Sequence, residues 1–234
     1  MESLSLEETQ EASGMVDTAE AVSSMVDTLS GLPSTPPSIY VDLEGVNLSR
    51  HGTISILQIY VSTTAENYLV DVKTLGEAAF STKGTSSSNT LKDILESESI
   101  PKVFFDVRND SDALFSHYGI KLQGIHDVQL MEFATRMYPG FYICGLKKYG
   151  VNLFAPEKGG SYEVFNERPL PKKIRAYCVQ DVSYLPRLWD LYDSKLHDSW
   201  RAKVQDATKD RVTESQAQDF DPSGPHKTRP PRGW

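Results

Sequence analysis

Apolar and polar residues change period several times along this chain. Ile39 to Leu43 is apolar and β-branched enough to predict a buried strand. Thr53 to Val61 alternates through Ile54, Ile56, Gln58 and Tyr60, and Asn67 to Val72 is a third β-like run. The turn-rich Asn47 to Gly52 joins the first two, and three strands at this spacing predict an antiparallel meander. Lys102 to Asp106 predicts a further short strand. It leads into Arg108 to Gly119, where Ala113, Leu114 and Tyr118 fall on one helical face and Asn109 or Ser111 serves as the cap. From Pro171 to Tyr192 the residues Ile174, Tyr177, Cys178, Asp181, Val182 and Leu185 recur at helical spacing, and Pro186 kinks or divides the segment. Strands followed by helices make the chain α/β.

The ends predict little order. Residues 1–37 carry seven acidic and no basic side chains, are rich in Ser and Thr, and close on Pro33, Pro36 and Pro37. They are expected to form a disordered acidic tail, with a weak helix possible from Glu11 to Leu29. This segment lacks the features of a signal peptide or a mitochondrial presequence. Ser81 to Asn89 reads as a mobile surface loop. Residues 201–234 are polar and are expected to be disordered, which leaves one domain of about 160 residues over 38–200, enough for a single core. No stretch is long enough to span a membrane. Two cysteines, Cys144 and Cys178, are too few for a disulfide framework or a zinc site, so they read as buried thiols in a reducing compartment, cytosol or nucleus.

Candidate chemistry lies in acids at three stations. Asp42 and Glu44 are two apart on the first strand, so both project from one face near its C-terminal end, where α/β sheets place ligands. Asp106 closes the strand at 102–106, Asp110 and Asp112 follow it, and spacing leaves the choice among them open. Asp110 and Leu114, four apart, share a helix face. Asp181 lies on the apolar side of its helix, one turn after Tyr177. A carboxylate there is costly unless it is paired or binds a metal. Carboxylates gathered at one point repel unless cations sit between them, and hard ions such as Mg²⁺ or Mn²⁺ take such oxygen ligands.

In this order the stations resemble the three exonuclease motifs of the DEDD superfamily of 3′–5′ exonucleases. Tyr177 in Tyr-x-x-x-Asp resembles the tyrosine-bearing (DEDDy) subgroup, which includes ribonuclease D and the Werner-type exonuclease domain. Phe165 to Pro171, Gly145 to Val151 and Asp127-Val-Gln-Leu-Met131 are also similar to that subgroup, and the likeness covers about Ser38 to Leu196. It implies a ribonuclease H-like mixed sheet with flanking helices. It also selects Asp110, nine residues before Gly119 and four before Leu114, with Asp112 in reserve.

The resemblance further implies a two-metal hydrolysis of the terminal phosphodiester that releases nucleoside 5′-monophosphates. Asp42, Glu44 and Asp181 would hold one ion, and Asp42 with Asp110 the second. Tyr177 would orient the attacking water, since a tyrosine of pKa near 10 is a poor base. Gly45, Val46, His51 and Leu57 would lie near the terminal nucleotide. The expected partner is RNA or single-stranded DNA at its 3′ end, with RNA favoured on resemblance. The alternative is a catalytically inactive module of the same fold that binds RNA or scaffolds a partner.

Charge qualifies this picture. The chain is −8 overall, whereas polyanion binders are usually basic. Seven of those negative charges lie in residues 1–37, and bases cluster near the third station at Arg168, Lys172, Lys173 and Arg175, beside Lys147 and Lys148. Lys172 and Arg175 are the candidates for substrate contact, with modest, salt-sensitive binding.

Overall fold

The alternating runs build one six-stranded mixed sheet. The computed structural model describes residues 13–136, 140, 142–143, 145 and 151–234. Its strands are β1 (Ser13–Val16), β2 (Ile39–Glu44), β3 (Ile56–Val61), β4 (Glu66–Val70), β5 (Lys102–Phe104) and β6 (Ile125–Asp127), in the spatial order β1-β4-β3-β2-β5-β6. The β2–β3–β4 meander is antiparallel, while β1–β4, β2–β5 and β5–β6 are parallel.

Helices cover both faces. In chain order they are α1 (Ala19–Ser30), α2 (Val72–Leu75), α3 (Ala78–Ser81), α4 (Leu91–Glu96), α5 (Arg108–Tyr118), α6 (Val128–Ala134), α7 (Lys172–Ser183), α8 (Leu185–Asp193) and α9 (Asp198–Gln216). On one face Ile39, Val41, Leu43, Leu57, Ile59 and Val61 pack with the α1 and α5 side chains. On the other, Tyr40 packs with Val182, Leu185 and Trp189, and Ile56 and Leu69 pack with Ile174, Tyr177 and Cys178. Each fully buried Val, Leu, Ile or Phe contributes about 1.5–3 kcal/mol. Among the described residues, no helix is long and apolar enough to cross a membrane.

The ends differ from expectation. Residues 13–30, read as tail, supply an edge strand and a helix. Val22, Met25, Val26 and Leu29 are spaced 3, 1 and 3 apart and are all buried, and Thr18 Oγ1 caps α1 by accepting from Ala21 N at 3.2 Å. The helix overlaps the weak one expected from Glu11 to Leu29, and the surrounding acids and hydroxyls hid only its burial. Residues 201–216, also read outside the domain, belong to a 19-residue helix, Asp198–Gln216, that buries Val204, Ala207 and Val212. Residues 1–12 lie outside the described residues. The loop at 81–89 is not loose: the Asp27 carboxylate accepts the backbone N–H groups of Thr85, Ser86 and Ser87 at 2.8–3.0 Å.

Helix α5 also starts earlier than predicted, after Val107, so neither Asn109 nor Ser111 caps it. Its approach is held by Asp127, a fully buried residue that accepts from the backbone N–H groups of Asp106 (3.0 Å), Val107 (3.3 Å) and Gln129 (3.0 Å). The predicted break at Pro186 is present. Helix α7 ends at Ser183 and α8 begins at Leu185, with Pro186 in its first turn, where a missing N–H costs nothing.

Candidate active site

Period-two geometry places Tyr40, Asp42 and Glu44 on the face of β2 that α7 covers. Helix α7 is seated there by Ile174 and Cys178, and Asp181 projects from the same side. The result is a cluster in which one carboxylate oxygen each from Asp42, Glu44 and Asp181 lie within 4.8 Å of one another. Glu44 and Asp181 are 8 % and 5 % exposed, and Asp42 is half-buried. Two carboxylates at about 5 Å repel by about 3 kcal/mol at an effective dielectric of about 20. The all-oxygen donor set, without Cys or His, fits a hard divalent cation such as Mg²⁺ or Mn²⁺.

Tyr177 is the fourth member. Its hydroxyl donates to Glu44 Oε1 at 2.8 Å. Its ring is wedged against Phe154 and Phe165, with centroids 4.9 and 6.1 Å away. These contacts fix the phenol, so Tyr177 and Glu44 form a rigid pair rather than two independent side chains.

The second station resolves into three different environments. Asp112 is fully buried and accepts from Arg50 N (2.8 Å) and Arg50 Nε (2.6 Å). Asp106 accepts from Arg108 Nε (2.6 Å) and Nη2 (2.8 Å), with Arg211 Nη1 at 3.7 Å. Burial pushes the Asp106 carboxyl up, but Arg108 and the charges of Arg211 and Lys227 outweigh it and hold it below the usual carboxylate range. Arginines therefore claim Asp106 and Asp112 as structural ion pairs. Asp110, in the first turn of α5 and 5 % exposed, stands outside the three-acid cluster.

The proposed substrate contacts fare unevenly. Leu57 is corrected: it pairs with Leu43 in the antiparallel register, so it shares Leu43's face, opposite the acids, and is wholly buried in the core. Gly45 has a packing reason, since a Cβ there would lie 2.0 Å from Thr53 O. Val46 exchanges backbone contacts with Thr53, its O accepting from Thr53 N at 2.9 Å and its N donating to Thr53 Oγ1 at 3.2 Å. His51 is exposed on the β2–β3 loop. Lys172 and Lys173 are exposed in the first turn of α7, and Arg175 is half-buried. Arg168 is taken by Asp71 in a bidentate pair at 2.5 and 2.6 Å. Cys178 is buried and unoxidised, while Cys144, Lys147 and Lys148 lie outside the described residues.

Two further residues, one beside the cluster and one that braces α5, were not singled out by pattern. Gln58 lies directly across from Asp42 in the β2–β3 register and is wholly buried. Its only signal was a polar side chain within an apolar strand. Arg50, in the β2–β3 loop, ties α5 to the end of α9. Beyond its contacts to Asp112, it donates to Gln218 O (2.8 Å), Ser215 O (2.9 Å) and Ala217 O (2.7 Å).

Fold and cluster together define a ribonuclease H-like exonuclease domain. The family model described as 3′–5′ exonuclease matches residues 14–196, and the chain belongs to that family. In structure it is similar to Trypanosoma brucei RNase D (TM-score 0.73, 22 % identity, 93 % of this chain and 78 % of that chain). It is also similar to Escherichia coli RNase D (TM-score 0.65, 19 % identity, 87 % of this chain and 50 % of that chain). In sequence it is 40 % identical over 92 residues to mouse piRNA biogenesis protein EXD1, covering 39 % of this chain and 15 % of that protein. It is 28 % identical over 185 residues to the Saccharomyces cerevisiae exosome complex exonuclease RRP6, covering 79 % of this chain and 23 % of that protein. The chain thus spans less than a quarter of either relative's length.

Proposed function

We propose that this chain is a divalent-metal-dependent 3′–5′ exonuclease that removes terminal nucleotides from RNA. The observation that carries this reading is the Asp42–Glu44–Asp181 cluster at the C-terminal end of β2, with Tyr177 bonded to Glu44. Asp42, Glu44 and Asp181 would hold one Mg²⁺ or Mn²⁺, and Asp42 and Asp110 would serve a second. When bound, such ions supply an acidified water and neutralise charge at the phosphodiester. The residues do the rest. Tyr177, locked by its ring contacts and by Glu44, orients the attacking water on the side of α7. Burial of Glu44 and Asp181 keeps bulk water from competing. Lys172 and Arg175, in the first turn of α7, meet the backbone by charge. RNA is favoured because T. brucei RNase D, solved with RNA U12, shares this fold over 98 % of the chain.

The test is degradation of 5′-labelled RNA and DNA oligonucleotides with Mg²⁺, Mn²⁺ or EDTA, using full-length protein and Asp42→Ala. A metal-dependent ladder shortening from the 3′ end, reduced at least about 100-fold in the variant, is expected. Intact oligonucleotide in the presence of protein that binds it would replace this reading with an inactive RNA-binding module.

A further inference from the structure

After α9 the chain folds back across the domain as a strap. Arg108 Nη2 donates to Lys227 O at 2.9 Å, and Ile143 N donates to Thr228 O at 3.1 Å. The Trp234 ring packs against Trp200 and Phe133, with centroids 5.2 and 6.0 Å away. These anchors deliver the half-buried Lys227 side chain to the first turn of α5. There Nζ donates to Asn109 Oδ1 at 2.5 Å.

That bond uses one of three ammonium donors. Among the described residues, no other hydrogen-bond acceptor and no ion-pair carboxylate engages this nitrogen. Its charged neighbours are Asp106, Arg108, Asp110 and Arg211. Arg108 pairs with Asp106, and Arg211 pairs with Asp127 at 2.6 Å, with Asp106 at 3.7 Å. Burial, aided by the two guanidiniums, depresses the Lys227 pKa, against the pull of Asp106 and Asp110. Two donors of this half-buried ammonium are left to take an oxygen ligand from outside the chain.

Building on the exonuclease reading, we propose that Lys227 is a phosphate-binding residue, set by the strap beside Asp110 to hold a non-bridging oxygen of the nucleic-acid backbone near its 3′ end. The strap, which lies beyond the matched family region, then completes the site.

The test is equilibrium binding of a fluorescent 12-nucleotide RNA to full-length protein, with Ca²⁺ as the metal, the RNA checked intact, and salt varied. Wild type, Lys227→Met and Lys227→Arg are compared. The methionine variant is expected to bind about 5–10-fold more weakly, with a salt slope shallower by about 0.7–1, and arginine to restore both. Equal affinity and slope in wild type and Lys227→Met would overturn the proposal. So would tighter binding by the variant, which would mean that the ammonium occupies a metal position, or no binding by wild type. Should Lys227→Met fail to fold, acylation of wild-type lysines read by mass spectrometry decides instead: RNA should protect Lys227 about 5-fold or more, and no protection overturns the proposal. Wild-type cleavage with Mg²⁺ is scored separately. Binding that depends on Lys227 without cleavage keeps the phosphate contact and removes the exonuclease reading.

Discussion

Gln58 is wholly buried opposite Asp42, and among the described residues neither its Oε1 nor its Nε2 has a hydrogen-bond partner. Such a group costs about 1–3 kcal/mol. Gln58→Met keeps the volume and removes the polar atoms, so metal-free thermal melts should show a gain of about 1 kcal/mol, or about 2–4 °C. A lower Tm would show that the amide is satisfied, for instance by a bound water. Lys102 has the opposite arrangement. It is fully buried and donates to Ile94 O (3.0 Å) and Ser97 O (2.6 Å), and burial pulls it from its ordinary 10.5 to about 7. A neutral amine has two hydrogens for those two carbonyls. Between about pH 7 and 10.5 the unfolded chain therefore binds more protons than the folded one, and stability rises with pH across that window. Below it the burial penalty applies in full. Urea midpoints from pH 7 to 9.5 should climb in wild type and climb less in Lys102→Met. Equal slopes would refute the assignment. At this scale the sequence exposed Asp42, Glu44 and Asp181, because carboxylates in apolar patterns are costly. It could not separate Asp110 from Asp112, because Arg50, which claims Asp112, lies 62 positions away. Leu57 was misplaced because period two gives alternation but not which face meets which partner.

Arg50 joins three elements: the β2–β3 loop, α5 through Asp112, and the last carbonyls of α9. Asp112 is 0 % exposed, so removing the guanidinium leaves a buried charge uncompensated. Arg50→Met is expected to lose about 3–5 kcal/mol in urea unfolding, and adding Asp112→Leu should recover part of it, because both charges then leave together. A loss under 1 kcal/mol would mean that the pair is solvent-screened. Elements built from local signals were readable: the β2–β4 meander from its alternation and turns, and the α7–α8 break from Pro186. Helix α9 was not, since its apolar residues are sparse and its place is secured by Arg50 and by Arg211, which donates to buried Asp127 at 2.6 Å. Those contacts are long in sequence and carry no periodicity.

At the scale of the molecule, these long contacts decide where the folding unit ends. The family match stops at residue 196, yet α9 buries Val204, Ala207 and Val212, supplies Arg211 to Asp127, and offers its terminal carbonyls to Arg50. Cutting the chain after residue 200 removes all three contributions at once. Loss of Arg211 alone strands a fully buried carboxylate, at about 3–5 kcal/mol. Exposing the apolar side chains that α9 covers adds to that cost. Domains have only about 5–15 kcal/mol to lose. A protein of residues 1–200 is therefore expected to be insoluble or to lack a cooperative melt, while 1–234 melts in a single transition. Recovery of 1–200 with an unchanged Tm would make α9 and the strap an appendage. It would also detach Lys227 from any part in building the site, because the strap reaches α5 through α9 and its anchors at Arg108, Ile143, Trp200 and Phe133.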